Sequence, residues 1–331
     1  MGSSKERLVS GIRATGHLHL GHFFGALRNW LDLQDQYDCY FGIMDWHGMT
    51  TQYKDPNSIK SWTYELMADL MAWGIDSKRS VVFVQSLVPE HLELFMFFAM
   101  LTPMGWLERV PTWKDAQQEA MQSDTYNLGR FSYPVLQAAD IALYRGVVVP
   151  VGQDQVPHLE LSREIIRRFN KLYNYDLIEP KALLTPQPMV PGLDGRKMSK
   201  SYGNTISLSE DESVLKKKLL QMPTDPARVR RHDPGEPTRC PVYNYHKLVS
   251  HADDLQWVEA GCRSAGIGCG DCKMRLFERL NERLEGPRKK KKELMADSQF
   301  LEHQIREGVS KAREEGERQL RKIKSHLGFN V

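Results

Sequence analysis

The sequence predicts an α/β fold: a parallel sheet with helices on its faces, then an α-helical C-terminal domain. Three observations predict it. Short apolar runs alternate with amphipathic helical stretches through the first half of the chain. Polar residues follow directly on the ends of those runs. Beyond about Ser209 the pattern is helical and highly charged to the end. Alternating strands and helices bury their apolar faces best as a parallel sheet covered on both sides. Such sheets bind ligands beyond the carboxyl ends of their strands.

Each element has its own signal. Lys5 to Ile12 reads as a short strand, followed by the loop Arg13-Ala14-Thr15-Gly16. The spacing of Phe23, Leu27, Trp30 and Leu31 predicts a helix from about His19 to Asp35. The apolar run Cys39 to Met44 predicts a second strand, with Asp45-Trp46-His47 just past its end. Ser58 to Trp73 is a helix, and Ser80 to Gln85 a third strand. His91 to about Gly146 is mainly helical, apart from a turn at Pro103 to Gly105. Val147 to Val151 is a fourth strand, followed by Gly152-Gln153-Asp154-Gln155 and a helix from about His158 to Leu172. The Pro-rich stretch Pro180 to Gly195 leads into the loop Lys197-Met198-Ser199-Lys200-Ser201. A domain change near Ile206 divides a Rossmann-like domain, 1–205, from a helical domain, 206–331.

Composition excludes several classes. With 331 residues, 41% hydrophobic and 26% charged, the chain has the makeup of a two-domain globular protein. No apolar run approaches a membrane span; the best, Leu94 to Leu101, reads as a buried helix turn or two. The polar start, Met1 to Arg7, lacks an apolar signal region, so a cytoplasmic location without membrane is expected. The net charge of +3 neither demands nor excludes nucleic acid. Basic residues do cluster, at Arg228, Arg230 and Arg231 and in the run Arg288 to Lys292. Such a run is either a solvated loop or a phosphate contact.

Two short motifs carry nucleotide chemistry. His19-Leu20-Gly21-His22 opens a helix after a strand and a turn. A helix start offers free N–H groups and a positive dipole end to phosphate, and imidazoles add donors. Gly21 permits close backbone approach. Alone, the motif is more often a helix start that happens to carry histidines. Glycine-rich dinucleotide and P-loop fingerprints are absent. The string Lys197 to Ser201 places two lysines and two serines on a glycine-flanked loop, suited to closing over a polyphosphate. At average composition it arises by chance in about one chain of this length in 10⁴.

In this order and separation the two motifs resemble the His-Ile-Gly-His and Lys-Met-Ser-Lys-Ser signatures of class I aminoacyl-tRNA synthetases, with Leu20 in place of isoleucine. Three further stretches resemble the tryptophanyl-tRNA synthetases. They are Leu8 to Gly16, Tyr133-Pro134-Val135-Leu136-Gln137-Ala138-Ala139-Asp140-Ile141, and Val149 to Gln155 with His158-Leu159-Glu160-Leu161. Tyrosyl enzymes carry a different version of the last loop. The likeness runs from Leu8 to at least Arg231.

That resemblance implies activation of L-tryptophan with ATP and Mg²⁺, then transfer to tRNA(Trp). The alternatives are a tyrosyl-tRNA synthetase and a non-catalytic, RNA-binding paralogue. His19, His22, Lys197 and Lys200 would be catalytic. Arg13, Ala14, Thr15, Gly21, His22, Gly152, Gln153, Asp154, Val190 and Lys197 to Ser201 (Lys197, Met198, Ser199, Lys200, Ser201) would bind ATP. Val9, His47, Tyr133, Gln137, Asp140, Val149, Val151 and Gln155 would bind tryptophan. Asp140 is a fitting acceptor for the one side-chain donor of tryptophan, the indole N–H. Val149 and Val151 alternate on a strand, so both face the same side. Val9 stands where many members have an aromatic residue, and Arg13 where many have glutamine. Resemblance also implies a homodimer, and an anticodon read within the helical domain.

Cys240, Cys262, Cys269 and Cys272 have gaps of 21, 6 and 2 residues. That grouping suits tetrahedral thiolate ligation. Some tryptophanyl-tRNA synthetases bind a [4Fe–4S] cluster through a similar pattern, and the first gap here is one residue shorter. Zinc, or uncoordinated thiols, are the alternatives.

Overall fold

The computed structural model describes residues 5–119, 126–184 and 190–329, without the side chains of Asp115, Ala116, Gln118, Glu119, Asp154 and Ser201. Five strands are present: β1 (Arg7–Arg13), β2 (Asp38–Met44), β3 (Ser80–Val84), β4 (Val148–Val151) and β5 (Lys181–Leu184). The helices before β4 are α1 (Leu20–His22), α2 (Arg28–Leu33), α3 (Asp45–Gln52), α4 (Pro56–Ala72), α5 (Glu90–Leu101), α6 (Met104–Glu108), α7 (Pro111–Glu119) and α8 (Leu128–Leu143). Those after it are α9 (Val156–Tyr173), α10 (Glu212–Gln221), α11 (Pro241–Val249), α12 (Ala252–Arg263), α13 (Cys269–Ala296) and α14 (Ser298–His326). A π-helical stretch, Phe23–Leu27, joins α1 to α2. Among the described residues no helix is long and apolar enough to cross a membrane.

The chain packs as two compact units, neither continuous in sequence. One comprises Met1–Gly16, Asn29–Pro186 and Asp297–Val331; the other comprises His17–Arg28 and Gln187–Ala296.

The first unit holds the sheet. Its order is β3-β2-β1-β4-β5, all parallel. Strand order reverses between β1 and β4, and such a switch point opens a crevice at the carboxyl ends. Val9, in β1, and Val149 and Val151, in β4, flank that reversal. The four predicted strands are all present. β5 was not predicted: it is a mostly exposed edge strand of four residues between Pro180 and Pro186, too short to show alternation.

Local signals explain the helices that carry the site. Asn127 caps α8, its Oδ1 accepting from the Arg130 N–H at 2.9 Å. Asp55 caps α4 ahead of Pro56, whose fixed φ suits a first helical position. α14 belongs to this unit and sends Ala312, Leu320 and Ile323 into its main core, beside Phe98, Leu143 and Phe169.

The second unit is mainly helical. Leu215 of α10, Tyr245 of α11 and Leu276 and Leu280 of α13 are fully buried. The basic run Arg288 to Lys292 lies within α13 and is not a loop. Straight-chain side chains are good helix formers, and their spacing matters more than their charge. Arg288 and Lys291 fall on the buried stripe with Leu284 and Leu294. Arg288 spends its guanidinium on Asn281 Oδ1 at 3.2 Å.

Candidate active site

The second unit gathers both nucleotide motifs. Segment 205–208, which follows the lysine-serine loop, pairs with the residues around His19. Leu20 N–H donates to Ile206 O at 3.0 Å, Leu208 N–H donates to Leu18 O at 2.9 Å, and His19 bridges Ser207 in antiparallel fashion. Two motifs far apart in sequence thus share one small sheet-like contact.

His19 caps α1 in an extended conformation. Its Nδ1 accepts from Gly21 N–H at 3.1 Å, and His22 Nδ1 accepts from His19 N–H at 3.2 Å. With both Nδ1 atoms used as acceptors, each neutral ring carries its proton on Nε2. The rings stack, with centroids 3.7 Å apart. A Cβ on Gly21 would meet His19 Cε1 at 2.9 Å, so glycine is needed for the ring to fold over the backbone. Burial and the nearby Lys200 ammonium lower His19 to about 4. Burial, His19 and Lys200 push His22 well below the usual imidazole range. Both histidines are therefore neutral donors at physiological pH.

The lysine-serine loop is the second arm of a small hairpin. Pro191 bridges Lys197, and Met198 N–H donates to Val190 O at 3.1 Å. Met198 is buried while Lys197 and Lys200 are exposed. Asn204, which is buried, braces the loop: its Oδ1 accepts from Ser199 N–H at 2.8 Å, and its Nδ2 donates to Asp194 Oδ1 at 2.8 Å and to Lys197 O at 3.1 Å. Sequence reasoning passed over Asn204, although it lies just past the motif. The side chains of Asp154 and Ser201 are outside the described residues.

The first unit holds the residues predicted to bind the amino acid. Asp140, on α8, is 3% exposed. Its Oδ2 lies 2.7 Å from His47 Nε2, and its Oδ1 accepts from Gln85 Nε2 at 2.8 Å. His91 Nδ1 stands 2.7 Å from the same Oδ1, off the line of a straight hydrogen bond. Burial alone would raise the Asp140 carboxyl, yet hydrogen bonds and charge from His47 and His91 hold it well below the usual carboxylate range. Val149 and Val151 pack together with Ile141, the next residue on α8, and Leu159. Val9 instead packs into the main core, beside Tyr40 and Phe83.

Tyr133 and Gln155 meet through a shared histidine. Tyr133 Oη lies 2.6 Å from Thr112 Oγ1 and 3.1 Å from His158 Nε2, and His158 Nδ1 lies 3.0 Å from Gln155 Oε1. Burial raises the Tyr133 phenol, so it stays protonated. Thr112 was not foreseen, and neither were Gln85 and His91. Gln85 directly follows β3, so the rule of carboxyl-end ligands marks it in retrospect. Gln137 is half-buried on α8. Arg13 ends β1 and donates to Thr51 Oγ1 at 2.6 Å. Ala14 is buried, and Thr15 N–H donates back to Arg13 O at 2.9 Å. Gly152 leads a short 3₁₀ turn, Gln153–Gln155, at the carboxyl end of β4. A cleft of about 640 Å³ lined by Met104, Trp113, Tyr126 and Phe131 contains none of the predicted site residues.

The four cysteines come together from three elements. Cys240 caps α11, Cys262 lies in the last turn of α12, and Cys269 and Cys272 occupy the first turn of α13. Burial, with Cys240, Cys262 and Cys269 nearby, raises the Cys272 thiol to about 12. Cys272 Sγ is 3.4 Å from His246 Nε2, and Cys262 Sγ is 3.9 Å from Arg228 Nη1. Among the described residues no three His, Cys, Asp or Glu side chains converge closely enough to hold a metal ion. A single tetrahedral zinc needs sulfurs about 2.3 Å from one centre, which this arrangement does not offer.

A doubly wound parallel sheet, with paired histidines and a braced lysine-serine loop, is the equipment of an enzyme that activates a substrate with a nucleotide. The profile of the family described as tRNA synthetases class I (W and Y) matches residues 3–285. The tryptophan–tRNA ligase of Thermotoga maritima is 46% identical, over 98% of this chain and 99% of that one. That of Ralstonia nicotianae is 39% identical, with 98% of each covered. The tryptophanyl-tRNA synthetase of Campylobacter jejuni, solved in complex with ADP and tryptophan, superimposes with a TM-score of 0.89 at 33% identity, covering 97% of this chain and 99% of that one. The chain belongs to the class I tRNA synthetases of the tryptophan and tyrosine family, and within it to the tryptophan–tRNA ligases.

Proposed function

We propose that this chain activates L-tryptophan with ATP and transfers it to tRNA(Trp). The tryptophan carboxylate attacks the α-phosphorus in line; a new O–P bond forms, pyrophosphate leaves and tryptophanyl-adenylate remains. A terminal ribose hydroxyl of the tRNA then takes the aminoacyl group and AMP departs. A carboxylate is already a nucleophile, so the first step needs no general base. Positioning and neutralising charge are the enzyme's tasks. His19 and His22 donate uncharged Nε2–H groups to phosphate oxygens, while Lys197 and Lys200 supply the positive charge. Mg²⁺ arrives with the ATP. Arg13 to Thr15, Gly21, Val190, Met198, Ser199 and Ser201 complete the ATP contacts, and Gly152, Gln153 and Asp154 hold the ribose.

One observation carries the choice of amino acid: Asp140 is a buried, ionised acceptor fixed by two histidines and a glutamine. Its Oδ1 faces His91 and Gln85, and its Oδ2, which faces His47, is the oxygen offered to an indole N–H. Val149 and Val151 line the ring, with Val9, His47 and Gln137 around it. Tyr133 and Gln155 hold the substrate ammonium. ATP–pyrophosphate exchange with each amino acid offered singly tests this. Tryptophan alone should stimulate exchange; stimulation by tyrosine, or by none, overturns it.

The roles divide near residue 206, with catalysis before it and tRNA binding after it. Because α14 packs in the first unit, anticodon contacts fall to 206–296. A cytoplasmic location accords with the charging of tRNA. The chain acts as a homodimer, a reading supported by Leu92, Met96 and Met100 on one face of α5 and Met104 beyond it; Met100 is 75% and Met104 65% exposed. Exposed apolar stripes of this kind mark partner surfaces. Met100→Glu should yield monomers in sedimentation.

The four cysteines hold a [4Fe–4S] cluster with a structural or tRNA-contacting role. The grouping of the four cysteines, with a Cys-x-x-Cys pair in the first turn of α13 and a third cysteine separated from it by six residues, is what supports this reading. Anaerobically purified protein should be brown and contain iron and sulfide. Colourless protein with stoichiometric zinc overturns this reading.

A further inference from the structure

Asp140 has a second layer behind it. His91, in the first turn of α5, is fully buried, and its ring stacks on Phe83 at 5.7 Å between centroids. Its Nδ1 faces Asp140 Oδ1 at 2.7 Å. Its Nε2 lies 2.7 Å from the Tyr144 hydroxyl, itself fully buried one turn beyond Asp140. Burial pushes the Tyr144 phenol well above its ordinary value, so this hydroxyl keeps its proton. It donates to His91 Nε2. The opposite arrangement, with the proton on Nε2, would aim the bare Nδ1 lone pair at a carboxylate, which is repulsive. A hydroxyl can donate or accept, so the Asp140 carboxylate is what favours the proton on His91 Nδ1, and the Tyr144 hydroxyl, donating to Nε2, reinforces that tautomer.

Gln85 faces the same oxygen from β3's end, and its own Oε1 accepts from His47 N–H at 3.4 Å. Among the described residues, Oδ1 thus faces both His91 and Gln85, while Oδ2 faces His47. We propose that His91, held between Asp140 and Tyr144, is a positioning residue for amino-acid specificity: it backs the Asp140 carboxylate on Oδ1 so that Oδ2 is presented to an indole N–H. This rests on the reading of Asp140 as the indole acceptor. It adds that discrimination depends on a residue that does not itself touch the substrate.

Discrimination is read as the ratio of kcat/KM for tryptophan to that for its isostere with sulfur in place of the ring N–H, measured by pyrophosphate exchange. A merely structural role for His91 would lower both values together and leave the ratio alone. Asp140→Ala sets the reference for loss of the acceptor. His91→Asn places an amide nitrogen near the Nδ1 position and should keep the ratio within about threefold. His91→Gln reaches the Nε2 position instead and should lose about tenfold or more, the worth of a hydrogen bond to a charged group. Tyr144→Phe removes only the hydroxyl and should lose an intermediate amount. If Asp140→Ala discriminates like the unmodified enzyme, the acceptor reading itself fails. If Asp140→Ala loses discrimination while His91→Gln and Tyr144→Phe keep it, the acceptor stands and the positioning role of His91 is overturned. Equal losses in His91→Asn and His91→Gln also overturn it. Should His91→Gln fail to fold, Tyr144→Phe decides, since it opens no large cavity.

Discussion

Asn204 Oδ1 accepts the backbone N–H of Ser199 at 2.8 Å, holding the lysine-serine loop from inside. The same amide bonds Asp194 and the Lys197 carbonyl, and a Cβ on Gly192 would overlap it. Three loop positions thus depend on one 3%-exposed side chain. Asn204→Ala should raise KM for ATP and lower the exchange rate by about 10- to 100-fold, the cost of misplacing catalytic groups by an ångström or so. Tryptophan affinity, measured by calorimetry, should not change. A parallel loss of tryptophan binding would refute the brace.

Lys200 is exposed on the same loop, yet close enough to His19 and His22 to lower both imidazoles. In the proposed reaction its ammonium would meet the phosphate charge that grows as pyrophosphate leaves. Lys200→Ala should cut the single-turnover rate of adenylate formation by about 10²-fold, as removal of a preorganised transition-state donor does elsewhere. Tryptophan dissociation constants should move far less. Equal effects on rate and tryptophan affinity would remove Lys200 from its catalytic role.

Much of this arrangement was legible in the sequence, and the reasons for the rest are physical. Apolar runs located β2 to β4 because these strands are covered on both faces, and Leu8 and Val9 supplied the same signal in β1. β5 escaped because an edge strand of Lys181–Leu184 has no such demand. Of the two readings of the basic run, the solvated loop fails because the run is helical, as the pattern beyond Ser209 implies: Arg288 and Lys291 continue the stripe of Leu284 and Leu294. Asp140 was found by likeness. Its partners Gln85 and His91 were not, since nothing local to β3 or α5 shows that their side chains converge on α8. The place of α14 also depends on long-range packing. Its polar, glycine-bearing sequence gives no hint of Gly308 lying against the backbone of Val82.

The paired histidines should be silent to titration near neutrality. His19 is lowered to about 4 and His22 well below the usual value, both chiefly by burial. In ring-nitrogen NMR of the free enzyme, neither should titrate between about pH 5.5 and 7.5, whereas an unperturbed histidine has a pKa of about 6.5. A midpoint near 6.5 for either would overturn the neutral-donor assignment. The same depression has a thermodynamic consequence. The unfolded chain binds more protons than the folded one from about pH 6.5 down to about 4, so His19 stabilises the fold fully above that window and progressively less as pH falls through it. His19→Asn keeps an acceptor for Gly21 N–H without a titrating group. Its stability should therefore decline less steeply across that window, read from thermal melts at several pH values.

Two glycines in long helices should respond differently to alanine. Gly308 sits in α14 where a Cβ would overlap the carbonyl oxygen of Val82, in β3. Neither neighbour is a flexible side-chain tip; both are backbone inside regular structure, so relief requires α14 to shift from the sheet. That shift would loosen Ala312 and Leu320 in the core and the ion pairs of Arg313 with Glu90 and Lys324 with Glu93. Overpacking of this kind costs about 1–3 kcal/mol, and Gly308→Ala should fall at the upper end. Gly286, exposed in α13, has nothing within 4 Å of where its Cβ would lie. Pro287 follows it, however, and a Cβ on the residue before a proline crowds the ring in a helix, which offsets the gain of about 0.5–1 kcal/mol from replacing a helical glycine, so Gly286→Ala should be close to neutral. Denaturant melts of the two variants make the comparison. Because both changes add the same methyl group to a helix, helix propensity alone predicts that both stabilise, and a stabilised Gly308→Ala would mean that α14 does not rest on β3 as closely as this backbone contact requires.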